Sequence, residues 1–184
     1  MDLISVQKHG LLGQNFYWHR RVDYNLSEEE LSAVGIVDNQ VYVDSSILPV
    51  LTKVDQELQK QGWRLYVKEG YRSPAMYKLI YNKRIEKYGE KITDSLLNMK
   101  DMKHASGLSV DVSIWDIVSN KELELRKRED GADSLFVGFY KDSTDPDRQQ
   151  CHKLQEYLSN LMFKHGFKYG SLGEYFHFDY VAAK

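Results

Sequence analysis

Segments with helical periodicity alternate along this chain with segments that have the pattern of β-strands. Residues 46–62 and 151–166 each place apolar side chains at helical spacing and end at or near a glycine. A further helix is predicted over 73–89, with Ser73 as its N-cap and Pro74 at its first position. Helices interspersed among strands favour an architecture that mixes both kinds of element.

The extended segments contain β-branched and aromatic residues in alternation. Residues 63–72 are predicted to form a strand that enters a turn, and residues 108–117 a second strand. Two adjacent strands are predicted near the C-terminus, at 167–170 and 174–181. We therefore expect an α+β fold, with a small mixed or antiparallel sheet on which helices pack. The length favours one domain that spans 1–184.

Composition narrows the classes of function. The formal net charge of −2 argues against a nucleic-acid-binding protein, which usually has a basic excess. The one cysteine, Cys151, excludes an internal disulfide and a cysteine-based zinc site, so any metal must be held by histidines and carboxylates. No apolar run approaches the roughly 20 residues of a membrane span, and the N-terminus lacks the pattern of a secretory signal. These features predict a cytoplasmic protein that binds neither nucleic acid nor membrane.

Two short stretches place a histidine near a carboxylate. In "KHASGLSVD", His104 and Asp111 lie on either side of Gly107, which relaxes the backbone where the chain must turn if both side chains are to face one ion. In "GEYFHFDY", Glu174 comes shortly before His177. Catalytic zinc takes three protein ligands, and imidazole and carboxylate groups suit it. One hypothesis is a zinc site formed by His104, Asp111 and His177, beside which Glu174 acts as general base.

The same residues have a simpler interpretation. A histidine near a carboxylate is more often one half of a hydrogen-bonded pair than a metal ligand, and short motifs often match by chance. The aromatic neighbours Tyr175, Phe176 and Phe178 are more typical of a core than of a substrate-binding wall. Neither stretch alone decides between a metal site and a satisfied histidine.

A third stretch, "KEGYRSP", places Arg72 between a strand and the start of a helix. The helix macrodipole is positive at that end, so a cation there is unfavourable unless an anion compensates it. Arginine offers a planar fork for carboxylates and oxyanions. Arg72 is therefore either a solvated surface residue or a group that binds an anionic substrate or a developing oxyanion.

In their order and separation, "EGYRSP", "HASGLSVD" and "EYFHF" together resemble the D-alanyl-D-alanine dipeptidases of the VanX type. Those enzymes are part of a larger group of zinc D,D-peptidases that includes D,D-carboxypeptidases. The resemblance spans residues 63–180 and includes Gly166 and Phe167, ahead of the last motif. It implies the D,D-peptidase fold, which is also described as hedgehog-like, and one Zn²⁺ per chain.

The resemblance also implies a role for each residue. His104, Asp111 and His177 match the zinc ligands of the family. Glu174 matches the catalytic base, and Arg72 matches the arginine that stabilises the tetrahedral intermediate. The implied reaction is hydrolysis of a D-alanyl-D-alanine dipeptide: zinc polarises the carbonyl, Glu174 activates the water and protonates the leaving amine, and Arg72 holds the oxyanion.

Departures from the family pattern leave the substrate open. Met102 stands where family members have a serine two residues before the first histidine, and Ser109 replaces a usual alanine. The length of the chain favours a small cytoplasmic dipeptide as the partner over assembled cell wall. The alternatives are a D,D-carboxypeptidase or endopeptidase that acts on peptidoglycan-derived stem peptides, and a zinc-containing binding protein without turnover. The intact Glu174 favours an enzyme, and the sequence does not indicate an oligomeric state.

Overall fold

The computed structural model describes residues 1–181 of the 184-residue chain. Within that range the chain forms eight β-strands and six α-helices. The strands are β1 (Leu3–Ser5), β2 (Leu12–Gly13), β3 (Tyr42–Asp44), β4 (Trp63–Glu69), β5 (Ser109–Asp116), β6 (Lys121–Glu122), β7 (Phe167–Tyr169) and β8 (His177–Tyr180). The helices are α1 (Phe16–His19), α2 (Glu28–Ala33), α3 (Leu48–Gln59), α4 (Pro74–Tyr88), α5 (Glu90–Leu96) and α6 (Pro146–Lys164). None of these helices is both long enough and apolar enough to cross a membrane.

Six of the strands form one mixed sheet, which confirms the predicted α+β architecture. Its order is β2-β4-β5-β8-β7, and β6 pairs with β5 beyond the part that β8 covers. The short β2 runs parallel to β4, and all other neighbours in the sheet are antiparallel. β1 and β3 form a separate two-stranded antiparallel ribbon. The strand predicted over 108–117 is therefore the centre of the sheet.

The main core lies on one face of this sheet. Val110, Val112 and Ile114 of β5 are fully buried, in one apolar cluster with residues of α3 and α6. Burial of each such side chain contributes about 1.5–3 kcal/mol. Because successive residues of a strand point to opposite faces, Asp111 and Ser113 face the other side, where a large cleft lies.

A second apolar cluster is built from helices rather than from the sheet. It is formed by residues of α1, α2 and α4 and the chain around them: Tyr17, Tyr24, Leu26, Leu31, Met76, Tyr77, Ile80 and Leu97. The cleft is lined by residues of this helical cluster and by residues of the central strands. The site residues therefore come from two differently built parts of the molecule.

Capping residues set the ends of the helices that flank the site. The Ser73 hydroxyl accepts a hydrogen bond from the Met76 amide at 3.1 Å, so the predicted N-cap of α4 is confirmed. The third helix begins at Pro146 rather than at 151, because Asp145 caps it by accepting from the Arg148 amide. The sequence analysis missed α2, although its capping box of Ser27 and Glu30 was visible in the sequence.

Candidate functional site

The register of the sheet brings together two of the three residues of the predicted metal site. Asp111 of β5 lies directly opposite His177 of β8, and Glu69 of β4 lies opposite Asp111 on its other side. Side chains that face each other across neighbouring strands are close enough to interact. Accordingly, His177 Nδ1 lies 2.8 Å from Asp111 Oδ1.

His104 reaches the same point from outside the sheet. It lies on a 3₁₀ turn, Lys103–Ser106, that ends at Gly107 with a φ of 71°. This left-handed conformation favours glycine, and it confirms the predicted turn between the two residues. His104 is almost fully buried, and its Nε2 lies 3.3 Å from Asp111 Oδ1. The structure thus brings together the three residues that the sequence analysis placed at one ion.

The second nitrogen of each imidazole is also held. His104 Nδ1 donates to the backbone carbonyl of Gly70 at 2.7 Å, which leaves Nε2 with a free electron pair towards Asp111. His177 Nε2 lies 3.3 Å from Asp179 Oδ1, which accepts a 2.7 Å hydrogen bond from the Ser109 hydroxyl. Such outer contacts orient histidines that bind metals.

A glycine also shapes the position of the second imidazole. Gly170 lies so close to the His177 ring that a side chain on Gly170 would overlap it. The amide of Gly170 donates to the carbonyl of His177 at 3.2 Å, so the two backbones are held together as well. The hairpin of β7 and β8 therefore fixes the ring where it faces Asp111.

The carboxylates of Asp111 and Asp179 beside His177 favour a positive charge at this cluster. Both nitrogens of His177 face a carboxylate, but a neutral imidazole has only one N–H to donate. Burial lowers the pKa of His177, yet hydrogen bonds to Asp111 and Asp179 outweigh it and raise the pKa to about 10. Burial raises the pKa of Asp111, but the two imidazoles outweigh it and hold that pKa well below its usual range. Either an extra proton or a metal ion satisfies this arrangement.

The donor set fits zinc. One atom from each of His104, Asp111 and His177 lies within 4.8 Å of the other two. Two imidazole nitrogens and one carboxylate oxygen are ligands that zinc accepts, and three protein ligands leave a coordination position open. Within residues 1–181, these side chains can therefore hold a metal ion of this kind.

The cleft beside this cluster has a volume of about 680 Å³, and Glu174 lines it. Glu174 is 9% exposed, and its backbone forms a bridge with Phe136. Burial, followed by the negative charge of Asp111, raises the pKa of Glu174 to about 7. A carboxyl group with such a pKa can both take up and release a proton near neutral pH.

Arg72 lines the same cleft, but it is not a solvated residue. Its Nε and one terminal nitrogen donate to the two carboxylate oxygens of Glu69, at 2.8 and 2.6 Å, and both side chains are buried. The guanidinium also stacks on Tyr77, 4.5 Å from the ring centre. The compensating anion expected from the helix dipole is therefore Glu69, which the sequence analysis quoted within "KEGYRSP" without assigning it a role.

Further residues of the cleft lie outside the motifs. Arg84 of α4 and Tyr17 of α1 line it, and they are far apart from each other in sequence, so no spacing pattern indicates them.

Met102, at the position of the family's serine, packs instead against the helical apolar cluster. Its neighbour Lys103 lines the cleft.

Comparison with known proteins gives a likeness in structure only. No family model matches the chain, and no curated protein matches it. The vancomycin resistance D,D-pentapeptidase VanY from a VanB-type cassette, in complex with Zn(II), matches with a TM-score of 0.51 and 18% identity, over 78% of this chain and 75% of that one. VanYB in complex with D-alanine-D-alanine matches with a TM-score of 0.51 and 17% identity, over 77% and 73%.

The LD-carboxypeptidase LdcB matches with a TM-score of 0.49 and 19% identity, over 76% of this chain. This chain spans 59% of the length of LdcB. The likeness to the two VanY structures is one of fold, and it agrees with the fold that the three motifs predicted. The chain therefore has the zinc D,D-peptidase fold.

Proposed function

We propose that this chain is a zinc-dependent D,D-peptidase that hydrolyses the D-alanyl-D-alanine dipeptide. The observation that carries the proposal is the convergence of His104, Asp111 and His177 at a cleft that Glu174 and Arg72 also line. The fold is shared with a VanY that binds Zn(II) and with a VanYB that binds D-alanine-D-alanine.

The ligands of the ion would be His104 Nε2, Asp111 Oδ1 and His177 Nδ1. Zinc bound there would supply a Lewis acid, which polarises a carbonyl group and lowers the pKa of water. The hydrogen bond of His104 to Gly70 and the approach of Asp179 to His177 Nε2 would leave His104 Nε2 and His177 Nδ1 to face the ion. These contacts orient both rings before an ion binds.

Glu174 is the general base of the proposed reaction. It takes a proton from the attacking water and delivers it to the amine that leaves when the peptide bond breaks. Burial raises its pKa above that of an ordinary carboxyl group, which brings the group closer to the range in which it can both accept and donate a proton near neutral pH.

Arg72 stabilises the negative charge that develops on the carbonyl oxygen. Glu69 binds two of its three guanidinium nitrogens, which leaves the third to donate to an oxyanion. The pairing with Glu69 and the stacking on Tyr77 fix the guanidinium before the substrate arrives. Donors that are fixed in this way lower the barrier more than mobile ones.

A second candidate is a D,D-carboxypeptidase that removes the last residue of a stem peptide. The cleft volume of about 680 Å³ favours it, because pockets of that size suit ligands well above the size of a dipeptide. The two candidates share the site and differ in the length of the substrate.

Release of D-alanine tests the proposal. The protein is purified without a histidine tag, and free alanine of either configuration is measured with D-Ala-D-Ala, L-Ala-L-Ala and a stem pentapeptide as substrates. We expect cleavage of D-Ala-D-Ala but not of L-Ala-L-Ala, and a fall in kcat of roughly 10²–10⁴-fold for Glu174→Gln with zinc retained. Glu122→Gln is the matched control, since Glu122 lines the cleft but pairs with Lys68.

Three results separate the alternatives. Cleavage of the pentapeptide alone would replace the dipeptidase by the carboxypeptidase. Zinc without cleavage of any D,D-peptide would indicate a binding protein. A Glu174→Gln variant that retains the activity of the parent would contradict the mechanism.

A further inference from the structure

Arg84 is a partly buried cation of the cleft that the proposed chemistry does not use. It lies on α4, and its guanidinium covers the ring of Tyr24 at 5.5 Å from the ring centre. Its Nε is buried and has no hydrogen-bond partner among residues 1–181. One terminal nitrogen donates to the Tyr17 hydroxyl at 3.4 Å, which is a long hydrogen bond.

Two other arginines of the cleft, Arg72 and Arg20, have counter-ions within the chain. Arg72 is paired with Glu69, and Arg20 donates to Asp23 at 2.8 Å. Within residues 1–181, no carboxylate forms an ion pair with Arg84. The Tyr17 phenol does not replace one, because burial raises the pKa of Tyr17 to about 12 and keeps it neutral at pH 7.

An uncompensated buried charge is costly, and the cost falls when an anion with matching hydrogen-bond acceptors arrives. A carboxylate matches the planar fork of a guanidinium with two parallel hydrogen bonds. Arg84 lines the same cleft as Glu174, so one ligand in that cleft can contact both side chains. An anion at Arg84 would therefore belong to a molecule that also reaches the site.

We propose that Arg84 binds the terminal carboxylate of the substrate peptide and so makes the enzyme require a free C-terminus. This inference rests on the proposed peptidase function. Arg72 is the weaker candidate for the same carboxylate, because Glu69 already neutralises it. The assignment implies an exopeptidase and disfavours an endopeptidase, whose substrates continue beyond the cleaved bond.

Binding of a free acid and of its amide tests the assignment. In the zinc-loaded Glu174→Gln protein, we expect D-Ala-D-Ala to bind about 10- to 100-fold more tightly than its C-terminal amide, the range that a hydrogen bond to a charged group supplies. Arg84→Met should abolish this preference by weakening the acid alone. Arg84→Lys should keep only part of it, because it retains the charge and loses the fork.

Arg20→Met is the matched control. It removes the same charge from a cleft arginine that already has a counter-ion, so it should keep the preference for the acid. Circular dichroism and thermal unfolding identify any variant that fails to fold. If Arg84→Met fails to fold, the preference of Arg84→Lys for the acid over the amide tests the assignment instead.

Equal binding of acid and amide by the protein with Arg84 intact would overturn the assignment, and so would an undiminished preference in Arg84→Met. The proposed function has a separate readout, because cleavage of D-Ala-D-Ala by the unmodified chain would still support it. Absence of that cleavage, together with absence of binding, would contradict both.

Discussion

The two sides of the cleft are built by different means. On the sheet side, Asp111 and His177 face each other across paired strands, and hydrogen-bond acceptors hold the outer nitrogens of both imidazoles. On the helical side, Arg72 and Arg84 lie against aromatic rings, and only Arg72 has a carboxylate partner. The sheet side is suited to a cation and the helical side to an anion. A polarised peptide bond between them would meet complementary charges at both ends.

Removal of the shared carboxylate has the largest expected effect on this arrangement. Asp111→Asn replaces the anion that both imidazoles contact by a neutral amide. We expect bound zinc to fall from about one per chain to near zero and kcat/KM to fall by more than about 10³-fold, a larger loss than outer contacts alone produce. Metal analysis and D-alanine release measure both quantities.

The control for this change is Asp116→Asn. Asp116 lies on the same strand, but it caps a turn by accepting from the Ser119 amide and is not among the residues that line the cleft. It should keep both zinc and activity. A full complement of zinc in Asp111→Asn would show that the sheet side does not hold the ion.

Loss of the β4 carboxylate that neutralises Arg72 should affect stability rather than metal content. Glu69→Gln leaves Arg72 buried without its counter-ion, which costs about 3–5 kcal/mol in the free energy of unfolding. Urea denaturation measures this loss, and the zinc content should stay unchanged. Glu122→Gln, which breaks the half-exposed pair with Lys68, should cost less than about 1 kcal/mol. Equal losses in the two variants would contradict the assigned burial of the Arg72 pair.

The outer contacts of the sheet side should give the smallest effects. Asp179→Asn removes the carboxylate that holds His177 Nε2, and we expect zinc affinity to fall by about 10- to 100-fold. Ser109→Ala should weaken it less, because Ser109 acts on His177 only through Asp179. Competition with a chromophoric chelator measures both affinities. A larger loss in Ser109→Ala than in Asp179→Asn would contradict this order of contacts.

The functional residues of the sheet side could be predicted from the sequence, whereas those of the helical side could be predicted only in part. The reason for this difference is physical. His104 and Asp111 are close in the chain, and the strand that carries Asp111 has a clear alternating pattern, so a motif records their relation. Ser109 departs from the family pattern. The sequence alone does not indicate the role of this serine, because its hydrogen bond to Asp179 depends on the pairing of β5 with β8. Arg84 meets Tyr17 through tertiary packing of two helices, and no local spacing encodes such a contact.

Anomalous diffraction at the zinc absorption edge, on crystals of the protein purified without a tag, locates the ion itself. We expect one peak per chain, about 2.0–2.2 Å from His104 Nε2, Asp111 Oδ1 and His177 Nδ1. A peak at another place, or zinc-saturated crystals with no peak among these three side chains, would rule out this zinc site.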